Sequence, residues 1–150
     1  MKIWIDADAC PKGIRKIVVK ASNRLHIPVR MVANNALPEA ESALIKSITV
    51  PKGFDVADEH IVNELSAGDI VITADIPLAA QVVEKGALAI DPRGELYTVD
   101  NVYERLATRN LLQDLKFCGL TLTGPPPFSP ADKRKFAATL DSLLTKLLDP

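Results

Sequence analysis

Two aspartates, Asp6 and Asp8, follow directly after the apolar run Ile3–Ile5 near the start of the chain. A short apolar run of this kind predicts a buried strand, and Pro11 then suits the first turn of a helix. In α/β proteins, ligands bind where a strand ends and faces the N-terminus of a helix. The two carboxylates therefore mark the first candidate site of the chain.

Asp75 follows a second run of the same kind. Residues 70–74 predict a central strand, and the carboxyl ends of parallel strands share one edge of a sheet, so Asp75 is expected near Asp6. Asp75 can equally serve as the N-cap of the helix predicted after it. Asp91 also follows a strand, but its Asp-Pro-Arg-Gly context is that of a type I turn, and we leave it out of the site.

Asp58 lies on the apolar face of a predicted helix. Ile61, Val62 and Leu65 follow it at positions i+3, i+4 and i+7, which place all four side chains on one face. A buried acid is costly unless it meets a cation or hydrogen-bond donors. The N-terminus of its own helix can supply part of that stabilisation. A role in a charged site is the favoured interpretation, and a carboxylate satisfied by its own helix is the alternative.

Asp6, Asp8, Asp58 and Asp75 together form an all-carboxylate set with no pattern of histidine or cysteine beside it. Hard oxygen ligands select Mg²⁺ or Mn²⁺ rather than zinc. Crowded carboxylates raise one another's pKa values unless a cation is bound. Such a cation activates water and polarises a phosphoryl oxygen, so metal-assisted phosphodiester hydrolysis is the expected chemistry.

Three polar residues near these acids are candidates for substrate binding. Lys12 and Arg15 lie in the first helical turns after Asp8 and can contact a phosphodiester, although a solvated helix face explains them too. Asn34 follows the second predicted strand and reaches the same edge of the sheet, unless it is only a loop residue. For Cys10 we favour a small buried residue over a nucleophile, because one residue too few separates it from Arg15 for a Cys-x5-Arg phosphate loop.

The elements that must position these side chains alternate between strand and helix. Strands are predicted at 3–5, 29–33, 47–50, 70–74 and 87–90, with an antiparallel return at 95–99. Helices are predicted at about 11–25, 57–67, 77–85, 100–116 and 130–148, and the pattern of residues 36–46 is ambiguous, with one helical turn or two expected. This order predicts one three-layer α/β/α domain over residues 1–150, with a mostly parallel sheet and a Pro-rich connection at 119–130.

Composition and charge set the outer bounds. The 150 residues are 47% hydrophobic and 25% charged, which is ordinary for a soluble globular chain, and no stretch is long enough to span a membrane. Two cysteines give no disulfide framework, and Asp6 interrupts the first apolar run, so we expect a cytoplasmic protein without a signal peptide. The net charge is −1, so the basic balance of a duplex binder is absent. Residues 1–52 nevertheless carry 9 basic against 4 acidic side chains.

Four runs give the chain a resemblance to a known family. They are Ile-Asp-Ala-Asp-Ala-Cys-Pro (5–11), Phe-Asp-Val-Ala-Asp-Glu-His-Ile-Val (54–62), Gly-Asp-Ile-Val-Ile-Thr-Ala-Asp-Ile-Pro-Leu-Ala (68–79) and Gly-Pro-Pro-Pro-Phe (124–128). With these runs the chain resembles, over nearly its whole length, the YaiI/YqxD family of uncharacterised bacterial proteins. That family is similar to PIN-domain nucleases, in which acidic residues hold divalent metal.

The resemblance implies a PIN-like fold and assigns roles to individual acids. Asp6 matches the acid on the first strand, Asp58 the acid on the middle helix and Asp75 the acid after the later strand, with Asp8 as an extra carboxylate. A further acid of the PIN pattern, on the helix before Asp58, has no clear match. The nearest candidates are Glu39 and Glu41.

The leading hypothesis is therefore a Mg²⁺- or Mn²⁺-dependent nuclease that acts on nucleic acid, with RNA as the first expectation. Asp6, Asp58 and Asp75 would bind metal, and Asp8 would be a ligand or a base that orients water. Two alternatives remain open. One is a non-catalytic nucleic-acid-binding module on a degenerate fold, and the other is a phosphatase with Asp6 as nucleophile and Asp8 as acid and base.

Overall fold

Six strands form one central sheet in the computed structural model, which describes residues 1–39, 41–53, 55–119 and 127–148. The strands are β1 (Ile3–Asp6), β2 (Val29–Ala33), β3 (Ile45–Thr49), β4 (Ile70–Ile72), β5 (Leu88–Ile90) and β6 (Leu96–Tyr97). Their order across the sheet is β3-β2-β1-β4-β5-β6, and only β6 runs antiparallel. The predicted mostly parallel sheet is confirmed.

Helices cover both faces of this sheet. They are α1 (Lys12–Leu25), α2 (Val56–Glu64), α3 (Ile76–Glu84), α4 (Val102–Phe117) and α5 (Pro130–Leu148). Side chains alternate along each strand, so Ile3 and Ile5 face one layer while Trp4 faces the other. The first layer contains α1 and α5, and the second contains α2, α3 and the start of α4. This is the predicted three-layer α/β architecture, which is consistent with a PIN-like fold.

The order of the strands fixes where a site can form. From β1 the chain moves outward through β2 to β3, and after α2 it returns to β4 and moves the other way. The neighbours β1 and β4, paired through Ile3–Ile70 and Ile5–Ile72, therefore flank the topological switch point. Ligands of open α/β sheets bind at the carboxyl ends of the strands at this point.

Several predicted boundaries were wrong, and each has a local cause. α2 ends at Glu64 rather than at 67, because Ser66 donates its N–H to the Asp69 carboxylate instead of continuing the helix. The described residues within 36–44 form no helix, and β3 begins two residues earlier than predicted. α4 begins after Asn101 rather than Asp100, because a turn that starts at Thr98 precedes it. The carbonyl oxygen of Thr98 accepts the N–H groups of Asn101 and Val102.

The final helix has the predicted start. The side chains and backbone of Ser129 and Asp132 exchange hydrogen bonds as a capping box. Phe136, Leu140 and Leu144 on this helix are buried, whereas Leu147 is 40% exposed. Most of the predicted Pro-rich connection, residues 120–126, lies outside the described residues. In the part of the chain that the structure describes, no helix has the length and apolar character to span a bilayer.

Candidate functional site

Asp6 and Asp75 meet through a threonine at the switch point. The register of β1 and β4 places Asp6 beside Thr73, whose hydroxyl donates to Asp6 Oδ2 at 3.1 Å. The same hydroxyl accepts the backbone N–H of Asp75 at 3.0 Å. Asp6 is 8% exposed and Thr73 is fully buried. The two acids that the sequence assigned to strand ends are thus fixed at one edge of the sheet.

Three aspartates converge on this edge. Carboxylate oxygens of Asp55, Asp58 and Asp75 all lie within 4.8 Å of one another. Asp55 is the N-cap of α2 and adopts a left-handed backbone (φ 58°), and its side chain makes no capping hydrogen bond. Asp75 does cap its helix, because Oδ1 accepts the N–H of Leu78 at 3.0 Å. Its predicted capping role and its position in the cluster are therefore both present.

These acids stand without counter-charges. Among the described residues, no lysine or arginine forms an ion pair with Asp6, Asp8, Asp55, Asp58 or Asp75. Loss of hydration on burial, followed by the charge of Asp75, raises the pKa of Asp58 to about 7. Burial is also the main cause of a raised pKa at Asp6, and the charges of Asp75 and Asp8 add to it. Burial and mutual repulsion therefore disfavour the charged forms of Asp6 and Asp58.

Asp8 lines a cleft together with these acids. It is exposed, and its Oδ2 accepts the backbone N–H of Asn34 at 2.8 Å. The side-chain Oδ1 of Asn34 is buried and has no hydrogen-bond partner among the described residues. The cleft measures about 200 Å³ and is lined by Asp6, Asp8, Asn34, Gly53, Asp55, Val56, Ala57, Asp58 and Asp75. All four predicted acids and Asn34 therefore line one cleft.

Two larger grooves flank α1, one of about 440 Å³ and the other of about 430 Å³. The first lies between α1 and α5, and the second lies between α1 and the segment before β3. Among the described residues, neither groove brings three possible metal ligands together. The side chains that line the smaller acidic cleft, rather than its volume, therefore make it the candidate site.

The predicted phosphate contacts differ from each other. Lys12 is exposed on the first turn of α1. The guanidinium of Arg15 instead pairs with Glu39 at 2.6 Å, and both side chains are only 11% exposed. It also donates to the carbonyl oxygens of Ala7 and Cys10. Nε and Nη1 of Arg15 are therefore engaged within the protein, and its phosphate contact stays a prediction.

Glu39 and Glu41, the nearest sequence candidates for the missing PIN acid, line the groove beside α1 rather than the acidic cleft. Glu39 is held by Arg15, and Glu41 accepts the N–H of Ser47 at 3.1 Å. Asp55 is the additional acid of the cleft, and sequence analysis missed it. Its i, i+3 spacing to Asp58 was the available signal, since it places both carboxylates at the start of one helix.

The two cysteines are expected to differ in reactivity. Cys10 is 5% exposed, and burial raises the pKa of its thiol to about 12, whereas Cys118 is exposed. Because the thiolate is the reactive form, native protein at pH 8 should show one fast-reacting thiol with a disulfide reagent, and Cys118→Ser should remove it. Fast modification of Cys10 in the Cys118→Ser protein would contradict the buried position.

Comparison with known proteins gives the family. The chain matches the family described as "Uncharacterized BCR, YaiI/YqxD family" over residues 4–146. A UPF0178 protein of Geobacter sp. strain M21 is 55% identical over 99% of this chain and 96% of its own length. UPF0178 proteins of Geobacter sulfurreducens and Bordetella avium are 50% and 52% identical, over 99% and 97% of this chain and 99% and 95% of their own lengths. No solved structure matches the chain significantly. The resemblance seen in the sequence is thus confirmed at the level of the family, and the chain belongs to the uncharacterised bacterial YaiI/YqxD family.

Proposed function

We propose that the acidic cleft binds Mg²⁺ or Mn²⁺ and that the protein hydrolyses phosphodiester bonds of nucleic acid. The observation that carries this proposal is the convergence of Asp55, Asp58 and Asp75 within 4.8 Å at the switch point, without a paired cation among the described residues. The resemblance to PIN-domain nucleases favours nucleic acid as the substrate, and RNA is the first class to test.

The residues of the cleft fit a hard divalent cation. Every titratable side chain that lines it is a carboxylate, and the unpartnered Oδ1 of Asn34 offers one more oxygen. Asp55, Asp58 and Asp75 would hold the ion, with Asp6 beside them. When bound, the ion would neutralise the acids, lower the pKa of water and polarise a phosphoryl oxygen.

The remaining acids have distinct surroundings. Asp6 is nearly buried and accepts the hydroxyl of Thr73, so its carboxylate is held in one orientation. Asp8 is exposed, and its Oδ2 is oriented by the Asn34 N–H. Asp8 can thus orient water, or accept its proton, on the open side of the cleft.

The phosphatase alternative needs one free oxygen on Asp6, because Oδ2 accepts the hydroxyl of Thr73. It predicts a covalent aspartyl-phosphate at Asp6, which trapping with a phosphate analogue would reveal. The non-catalytic alternative predicts nucleic-acid binding that persists in EDTA and no turnover with Mn²⁺. The cleavage experiment below separates it from the nuclease.

Purified protein is expected to cleave single-stranded RNA or DNA in the presence of Mn²⁺ and to lose cleavage in EDTA. Asp75→Asn should lower the cleavage rate at least about hundredfold, because loss of groups that merely support metal ligands already costs about 10- to 100-fold. The assay follows labelled oligonucleotides of both kinds on denaturing gels.

Asp114→Asn, on the exposed part of α4, is the matched control and should retain wild-type cleavage. Cleavage that survives in Asp75→Asn would assign the activity to a contaminant or another site. Wild-type protein that neither cleaves nor binds Mn²⁺ would overturn the proposal.

A further inference from the structure

We propose that Arg15 is a positioning residue, which together with Glu39 fixes the turn that carries Asp8 into the cleft. This inference rests on the proposed function for its effect on catalysis. It assigns to Arg15 a role other than the phosphate contact expected from the sequence.

The first step is the contact between Arg15 and the turn. A 3₁₀ turn at Ala7–Ala9 follows β1 and carries Asp8 at its centre. Arg15 Nη1 donates to the carbonyl oxygen of Ala7 at 3.3 Å and to that of Cys10 at 2.9 Å. One guanidinium thus holds the backbone on both sides of Asp8. A lysine could not make these two contacts and the Nε bond to Glu39 together, because its one nitrogen cannot occupy both the Nη1 and the Nε positions.

The second step is the pairing that holds Arg15 itself. Glu39 Oε1 accepts from Arg15 Nε at 2.6 Å, and both side chains are 11% exposed. A buried ion pair recovers little net stability after desolvation, so its clearest consequence is a fixed geometry. The pair between Arg24 on α1 and Asp141 on α5 differs, because its side chains are 63% and 67% exposed and solvent screens their attraction.

The third step joins the turn to the segment after β2. Asp8 accepts the N–H of Asn34, and Glu39 lies five residues further along that segment. The turn and the segment are therefore linked twice, through Asp8–Asn34 and through Arg15–Glu39. Releasing Arg15 should loosen the first link, because the backbone beside Asp8 would lose two of its restraints.

Amide hydrogen exchange at Asn34 tests this link without metal or substrate. Arg15→Met and Arg15→Lys should each speed exchange of the Asn34 amide about tenfold, whereas Arg24→Met on the same helix should not change it. Glu39→Gln should give a smaller increase, because the contacts to the two carbonyls remain. Glu39→Gln and Arg15→Lys also keep the test valid if Arg15→Met fails to fold.

Kinetics then separate positioning from substrate contact. Arg15→Lys should lower kcat about 10- to 100-fold with little change in KM or in oligonucleotide affinity. A raised KM with unchanged kcat, or unchanged exchange at Asn34 in all three variants, would overturn the inference. Absence of cleavage and of Mn²⁺ binding in the wild type would instead reject the proposed function, and the exchange result would still decide the structural link.

Discussion

Asp58→Asn is expected to make the metal-free protein more stable at pH 8 and to abolish most of its Mn²⁺ affinity. Asp58 is half-buried, and burial followed by the charge of Asp75 raises its pKa to about 7. Its ordinary value is 3.8, so the folded pKa lies above the unfolded one. The stability that this carboxyl contributes is therefore complete below about pH 4 and is lost as the pH rises through about 7.

Asparagine keeps the shape of Asp58 and removes the charge responsible for that loss. Because solvent screens a half-exposed group, we expect a gain of only about 1 kcal/mol at pH 8, or about 2–4 °C in Tm. At pH 5 folded Asp58 is protonated and only part of this stability has been lost through ionisation of the unfolded chain, so the difference between wild type and variant should be smaller than at pH 8. Thermal unfolding in EDTA at the two pH values measures the difference, with Asp114→Asn as the unaffected control.

Mn²⁺ should reverse the order of the two proteins. Binding to the native state raises Tm, so wild-type protein should gain stability with added Mn²⁺ while Asp58→Asn gains little. Isothermal titration calorimetry should give a Kd for Mn²⁺ that is at least about a hundredfold higher for the variant, because the substitution removes a metal ligand rather than a group that supports one. Equal stabilisation of both proteins by Mn²⁺, or a less stable variant at pH 8, would contradict the assignment of Asp58 to a cation site.

Much of this cleft could be predicted because its acids follow local rules. Asp6 and Asp75 end apolar runs, and parallel strands bring such ends to one edge of the sheet. Asp58 was placed by the period of its helix, which needs only residues within two turns. In each case the adjacent sequence identifies the acid, and the order of the strands then brings the acids together.

Other parts of the site depend on tertiary contacts that no local pattern encodes. The sequence around Arg15 indicates a basic residue available for a ligand, but in the structure Arg15 forms an ion pair with Glu39, which is 24 positions away. Thr73 was predicted to lie inside a strand. In the structure β4 ends at Ile72, and the hydroxyl of Thr73 donates to Asp6. Asp55 had a local signal in its spacing to Asp58, but that spacing did not indicate the left-handed backbone that Asp55 adopts at the start of α2. Long-range partners and backbone conformation decide these cases.

Asp69→Ala is expected to be strongly destabilising, although Asp69 lies at the opposite edge of the sheet from the cleft. This carboxylate is 4% exposed and accepts three hydrogen bonds, from the backbone N–H groups of Lys2 and Ser66 and from the indole of Trp4. Alanine would leave the Trp4 indole N–H buried without an acceptor. A hydrogen bond to a charged group contributes about 1.5–3 kcal/mol, so we expect a total loss of at least about 3 kcal/mol.

Urea denaturation followed by tryptophan fluorescence measures this loss directly, because Trp4 is the one tryptophan of the chain. Asp69→Asn keeps an oxygen for Trp4 and Ser66 and gives up the bond from Lys2, so its loss should be smaller. The exposed Asp141→Ala should change stability by less than about 0.5 kcal/mol. Since Asp69 anchors the start of β1 and Asp6 ends it, a fully stable Asp69→Ala protein would mean that strand pairing with β2 and β4 and the packing of Ile3 and Ile5 suffice to hold the strand in register. The loss of unfolding free energy in Asp69→Ala therefore measures how much the hydrogen bonds of Asp69, rather than the apolar core, fix β1 and with it Asp6.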